Sequence, residues 1–499
     1  MAERHEIELK YLAQEEEVSR VTLALEKIGV EILNDRSKVH RTVYYDTLRC
    51  RLRTKAVELR VRETDSKFVQ TVKSSHVKRG AVFEREENEC ALSTKFPDLN
   101  PLRNFIKSKS LTGLQCHHLK PVFETKVKRR SIDVRWKKSQ IRIDIDQGVL
   151  SSCRRRIGDR HLCEIELELQ NGRRQDLLLF GVELSNVMNL RLNAYTKSDF
   201  GYALALPRFA LKPVNWDQVS ANLDINASLK DLLSAAFLQL LKNNPDQIRD
   251  RLESIHQARV AIRRIRALLR GHKTRIEFLQ RKGVNGELKW LQIKLGEARD
   301  WQVLQHDTLP AVCSELTSNS AKLEKYVGQQ TKHHLANALS INSSRRLNRL
   351  FSRLLAWIDG LPNDPKADKK IRAKRLKTDL HNFVRLRRMP ARAFLSNIHQ
   401  LRIRTKKLRY MLEINNIDHD VSYAELSKNI KELQNALGKF NDLSKALELL
   451  SPAKTSELPI KINNEIRIII GTKMDLLFAV SQEKFKLTKK TLRAVEKKS

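Results

Sequence analysis

Glycine, aromatics, cysteine and long apolar runs are all scarce in this 499-residue chain, and each scarcity removes a class of answers. The 16 glycines include no Gly-(x)4-Gly-Lys-Ser/Thr pattern, so no P-loop is present and an ordinary kinase or ATPase is disfavoured. Aromatics make up only 6% and offer no stacking platform, recognition motif or zinc finger, which argues against a sequence-reading DNA or RNA binder. The six cysteines contain no C-x-x-C pair, so neither a disulfide framework nor a structural zinc site is expected. The longest apolar stretch near the C-terminus, Ile468 to Val480, is 13 residues and includes Lys473 and Asp475. A membrane span needs roughly 20. No apolar segment follows Met1-Ala2-Glu3-Arg4-His5, so no signal peptide is expected and a cytoplasmic protein is.

Acidic residues are also in deficit: 58 Asp+Glu against 95 Lys+Arg give a net charge of +37. Self-repulsion of that size calls for an anionic partner, whether nucleic acid, a membrane surface or a phosphate-rich molecule. Non-specific nucleic-acid binding is expected from charge alone, with steep salt dependence. With 41% apolar residues the chain can bury real cores, and its length predicts two to four domains.

Residues 1–206 carry period-two segments. Glu6, Glu8 and Lys10 alternate with Ile7, Leu9 and Tyr11; the pattern recurs in Glu58 to Arg62, Ile141 to Asp146 and Cys163 to Leu169. These predict strands with one apolar and one charged face. Solvated charged faces on an ordinary sheet would give this pattern in any single strand. Four densely charged faces of both signs favour a barrel with apolar residues outside and a mixed-charge interior. Such an interior suits a metal–polyanion complex, carboxylates for a hard cation and Arg/Lys for phosphate oxygens.

After Leu206 the period changes to 3.6, following a linker at about 207–221 marked by Pro207, Pro213 and a polar run. The first 206 residues hold 39 basic and 29 acidic side chains, the remainder 56 and 29, so +27 of the excess lies in the helical half. That half repeats itself, at about 225–350 and 370–499. His256-Gln257-Ala258-Arg259 to Arg266 matches His399-Gln400-Leu401-Arg402 to Arg409 at an offset of 143, and Leu295-Gly296 to Asp300 matches Leu437-Gly438 to Asp442 at 142. A duplicated helical bundle is expected. On a helix, His256, Arg259, Arg263 and Arg266 form one stripe, and so do His399, Arg402, Lys406 and Arg409. Like charges three and four apart repel, which points to an anion-binding stripe.

The segment Glu6-x-Glu8-x-Lys10, with Arg60-x-Arg62, Lys73 and Glu164-x-Glu166, resembles the CYTH domain of the triphosphate tunnel metalloenzymes. The His-Gln-x-Arg helices resemble the CHAD domain, a helical module associated with inorganic polyphosphate. The pair resembles the arrangement of bacterial inorganic triphosphatases. The fold so implied is α+β: an antiparallel β-barrel over 1–206, then an all-α duplicated bundle over 222–499. The resemblance further implies metal-dependent hydrolysis of inorganic tripolyphosphate to pyrophosphate and phosphate, with Mg²⁺ or Mn²⁺. Glu6, Glu8, Asp146, Glu164 and Glu166 would hold the metal and position water. Lys10, Arg60, Arg62, Lys73, Arg85 and, within Lys128-Arg129-Arg130, Arg130 would grip phosphates. His256, Arg259, Arg263, Arg266, His399, Arg402, Lys406 and Arg409 would bind long-chain polyphosphate. Anchoring to polyphosphate granules is one role open to the helical half. Relatives include adenylate cyclases, whose His-Phe ahead of the E-x-E-x-K segment is missing here, and thiamine triphosphatases. A polyanion binder with a vestigial tunnel is the non-enzymatic alternative.

Overall fold

The computed structural model describes residues 2–75, 81–102, 105, 108, 109, 111–224, 226–273, 276–385, 394–415, 421–451 and 459–498. Among the described residues, alternating charged and apolar residues build nine strands: β1 (Ala2–Leu12), β2 (Glu31–Asp46), β3 (Val57–Thr64), β4 (Lys67–Ser75), β5 (Phe83–Leu92), β6 (Lys120–Trp136), β7 (Ser139–Ser152), β8 (Arg160–Asn171) and the short β9 (Arg191–Leu192). Their order is β5-β4-β3-β2-β6-β7-β8-β1, and a β1–β5 pairing closes eight of them into an antiparallel barrel, with β9 added to β1.

Register brings the charged residues of neighbouring strands onto one face. Lys10 lies opposite Glu166, Glu6 opposite Arg85, Lys73 opposite Glu87, and Asp146 between Arg129 and Glu164. Because side chains alternate, the intervening Leu9, Tyr11, Ile143, Ile145, Ile165 and Leu167 point outward, where each is almost fully buried. The helix Arg174–Val187 packs over β1, β7 and β8. Burying each large apolar side chain is worth about 1.5–3 kcal/mol. Gly181 permits the close approach, since a Cβ there would stand 2.5 Å from the Tyr11 hydroxyl. Gly148 does the same between strands, a Cβ there lying 2.0 Å from the Lys126 carbonyl oxygen.

Two compact units divide the chain, and they interleave in sequence. The first comprises residues 1–219, 237–257 and 342–361; the second comprises 220–236, 258–341 and 362–499. Helical sequence therefore contributes to both. Within the first unit the helix Arg345–Asp359 packs on Arg174–Val187, through a Ser185–Ser352 hydroxyl pair at 2.7 Å and Arg174 on Asp359.

The elements of the second unit are all helices among the described residues. One apolar cluster gathers Leu376, Leu401, Leu408, Ile430, Leu433 and Phe485; another gathers Trp301, Leu304, Val327, Leu443 and Ile466. Among the described residues no helix is long and apolar enough to cross a membrane.

Candidate active site and polyanion site

The barrel interior is a cavity of about 170 Å³ whose walls carry nearly matched acid and base. On one side Lys197 Nζ stands 2.9 Å from Asp146 Oδ2, from Glu164 Oε2 and from Glu166 Oε1. Arg129 braces the same group, contacting Asp144 at 2.7 Å, Asp146 at 2.6 Å and Glu166 at 3.0 Å. Lys10 bridges Glu8, at 2.9 Å, and Glu166. Across the tunnel Lys73 joins Glu6 at 2.7 Å to Glu87 at 3.2 Å, and Arg60 reaches Glu87 at 3.4 Å. Arg62 and Arg85 complete the lining, with Glu168 and Arg142.

Burial alone would push these carboxyls up and these cations down. In the acids it is outweighed. Burial raises Glu6, but Lys73 and Lys10 hold it below the usual carboxylate range. Burial likewise raises Asp146 and Glu166, yet Arg129 and Lys197 on the one, and Lys10 and Lys197 on the other, keep both low. Lys10, Lys73 and Lys197 are held above the ordinary lysine value by the same carboxylates, against desolvation. Arg62 is the exception: burial and then Arg60 and Arg129 bring it down to about 10.

Arg130 corrects the expectation from sequence. It points out of the barrel and pairs with Asp35 at 2.6 Å and Thr22 at 3.0 Å, while Arg129 occupies the tunnel. The reason is register: Arg129 lies opposite Asp146, and Arg130 opposite Ile145, on the other face. Lys197 also escaped the sequence reading. It follows Thr196 at the start of the helix Lys197–Ala205, where Thr196 accepts from the Asp199 amide and Asp199 accepts in return from the Thr196 amide. The Thr196-x-x-Asp199 pattern was the available signal, a helix start after the last strand. Glu87, Arg142 and Tyr44 line the cavity as well.

The carboxylates are of the donor type a hard divalent cation takes, but among the described residues no three of them are arranged as a metal site, and Lys197 occupies the point on which they converge. Three carboxylate oxygens from adjacent strands converge on one point of positive charge, the Lys197 ammonium. Divalent Mg²⁺ or Mn²⁺ takes such oxygens in preference to nitrogen or sulfur. Glu8 Oε1 is buried and accepts no hydrogen bond, leaving a further oxygen donor. Asp146, Glu164 and Glu166 would hold the ion on one wall, and Glu6 and Glu8 on the next.

In the second unit the two repeats supply one cationic cluster. Arg263 donates to the Tyr410 hydroxyl at 2.9 Å, and Arg259 to the Gln292 carbonyl at 2.9 Å. Burial, then Arg402 and Arg263, bring the Lys406 ammonium down to about 7; burial, then Arg263, brings Arg259 down to about 10. Burial raises Asp300 and Asp442, the last residues of the repeated hexapeptides, which face Arg259 and Arg402. Arg266 turns to Asn285 and Gln292, and Arg409 to Glu413 at 3.2 Å. His399 is exposed. His256 is half-buried and belongs to the first unit.

A barrel closed around paired acids and cations, with a helical domain after it, is a triphosphate tunnel fold followed by an all-helical domain. Residues 4–199 match the CYTH domain and residues 231–451 the CHAD domain, so the chain carries both. Members of the CYTH superfamily act on triphosphates with divalent cations. Among solved structures, the CHAD domain of Ricinus communis is 22% identical, covering 57% of this chain and 96% of its own, with a TM-score of 0.46. PptA from Streptomyces chartreusis is 18% identical over 53% of this chain and 97% of its own, with a TM-score of 0.42. The Hippeastrum protein HpAC1, described as showing a dominant triphosphatase activity, is 16% identical over 40% of this chain and 95% of its own, with a TM-score of 0.30.

Proposed function

We propose that this protein hydrolyses inorganic tripolyphosphate to pyrophosphate and phosphate in the barrel, and that its helical domain binds long-chain polyphosphate. The observation that carries the first part is the cavity in which Glu6, Glu8 and Glu166 share one lining with Lys10, Arg60, Arg62, Lys73 and Arg85, while the fully buried Asp146 and Glu164 pair with Lys197 of the same lining. Phosphoryl transfer asks for positioning and charge neutralisation rather than covalent help from the protein. A bound Mg²⁺ or Mn²⁺ supplies charge neutralisation and lowers the pKa of water at the site. Arg60, Arg62 and Lys73 hold the phosphate oxygens, and the low pKa of Glu6 and Glu166 keeps both carboxylates charged at neutral pH.

Phosphate release from tripolyphosphate, ATP, thiamine triphosphate and long-chain polyphosphate, each with Mg²⁺ and Mn²⁺, tests this. Tripolyphosphate is expected to lead; ATP or thiamine triphosphate in first place would reassign the substrate. Within the same assay Arg129→Ala should lose about 100-fold or more in kcat/KM, the usual cost of removing a charge-stabilising donor. Arg130→Ala should stay near wild type. The reverse ranking would overturn the register that puts Arg129 inside.

The helical cluster makes a pH prediction. Lys406 titrates at about 7 with no anion bound, so it gains charge as pH falls from 8 to 6. Polyphosphate affinity should rise by about tenfold in total over that window, most of it between pH 8 and 7, because below pH 7 Lys406 is already charged before the anion binds. Titrations at fixed ionic strength would show it, and Lys406→Arg should flatten the profile.

A further inference from the structure

Outside the tunnel, the barrel wall carries a larger hollow. Side chains alternate along β2 and β3, so Val61, between the tunnel residues Arg60 and Arg62, faces outward together with its register partner Val43. Leu99, Leu102, Leu111 and Leu119 cover part of this outer face, packing with Tyr45 and Val61. Beside that cover, Val43, Tyr45, Leu48, Val61, Phe68 and Phe96 line a pocket of about 510 Å³. It shares no lining residue with the tunnel. A few charges are set into the apolar wall. Arg154 donates through Nε to the Pro121 carbonyl at 2.9 Å, while its Nη2 is buried and has no hydrogen-bond partner among the described residues. Lys95 and Lys120 stand on the same lining. The carboxylates there are Glu63 and Glu124, and Arg41 already takes Glu124 at 2.8 Å.

We propose that this pocket is a binding site for a small amphipathic anion, with an apolar chain or ring in the hollow and one oxyanion head group on Arg154. Size and lining fit such an occupant, since small-molecule sites are mostly apolar hollows of about 300–1,000 Å³ with a few placed polar groups. Charge selects the head group. With Arg41 and Glu124 neutralising each other, Lys95, Lys120 and Arg154 face Glu63 alone, which favours an anion and opposes a cation. The buried Arg154 Nη2 adds a specific demand, because a donor shut away from water without an acceptor is costly until something accepts from it. A carboxylate or phosphate oxygen does so through a charge-assisted bond. A bilayer or a flat protein face would reach Leu48 and Phe96, which are 69% and 62% exposed, and would leave that buried nitrogen unsatisfied.

Cys153 can report occupancy, because it is exposed and lines the pocket, whereas the exposed Cys116 does not line it. The whole chain would be titrated with decanoate and with decyl phosphate, each below micelle formation, while alkylation of both thiols by N-ethylmaleimide is followed by mass spectrometry. At ten times its Kd either amphiphile should slow alkylation of Cys153 about tenfold, with Cys116 unchanged. The tighter of the two identifies the head group as carboxylate or phosphate. Butyrate, a head without the chain, and decyltrimethylammonium, the chain with the opposite charge, should leave the Cys153 rate near that of the free protein. Arg154→Gln should raise the half-protecting concentration about tenfold. Phe96→Ala should raise it by a smaller factor, and its exposed position keeps the test open should Arg154→Gln fail to fold. Protection by the cationic amphiphile as strong as by the anionic ones, or by neither anion, would overturn the site. So would protection that appears only with anionic phospholipid vesicles, which would make this face a membrane surface, or only on raising the protein concentration, which would make it a contact between copies of the chain.

Discussion

Glu164→Ala and Glu6→Ala are each expected to lower kcat/KM for tripolyphosphate by about 1000-fold or more, a loss near 4 kcal/mol of transition-state stabilisation. The two residues sit on different walls, so their equivalence would test the tunnel as one site. Glu164 is fully buried and shares Lys197 with Asp146 and Glu166. Its removal leaves two carboxylates on that ammonium and takes one oxygen donor from the proposed cation site. Glu6 neutralises Lys73 at 2.7 Å, and its loss leaves Lys73 to Glu87 alone. In neither variant is a buried charge left without a partner, so the barrel should stay folded, and unchanged circular dichroism would confirm it. Calorimetric titration with Mn²⁺ should show weaker binding in both. Activity equal to wild type in both variants would remove the tunnel from the chemistry.

How much of this was legible beforehand depends on which periodicity carried the signal. Glu6-x-Glu8-x-Lys10 and Glu164-x-Glu166 alternate strictly with Ile7, Leu9 and Ile165, so the tunnel face could be read before any pairing was known. In the stretch Lys126 to Arg130, basic residues occupy both faces: Lys126, Lys128 and Arg130 on one, Arg129 on the other. Only the pairing of Arg129 with Asp146 decides which is inside, and pairing is a tertiary fact. Lys197 had no periodic neighbours at all, because it enters the site from a helix start rather than a strand.

The helical repeat shows the same division. Its stripes were legible as 3-4 spacing, but Arg266 and Arg409 find Asn285, Gln292 and Glu413, partners that no property of the stripe announces. The sharing of segments 237–257 and 342–361 with the barrel unit was not legible either, since helical period does not say which core a face will join.

Arg263→Glu combined with Lys406→Glu is expected to weaken binding of long-chain polyphosphate about 100-fold or more while leaving tripolyphosphate kcat/KM within about twofold. The two residues are equivalent members of the repeats, at an offset of 143, and both face Arg402. Reversing both turns two attractive contacts into two repulsive ones beside Asp300 and Asp442, which already place negative charge against the cluster. An extended polyanion binds chiefly by releasing counterions, so losing two phosphate contacts should also flatten the dependence of log affinity on log salt, by about 0.7 per contact for a flexible single strand. Arg263 also donates to the buried Tyr410 hydroxyl, so the double reversal carries a folding risk that the neutral pair Arg263→Gln with Lys406→Gln avoids. The neutral pair should keep a cooperative melt and show the same loss in direction, with a smaller size. A parallel fall in tripolyphosphate turnover would mean that the repeats contribute to the hydrolytic site itself. Undiminished polyphosphate binding in both pairs would move the polyanion surface elsewhere on the helical domain.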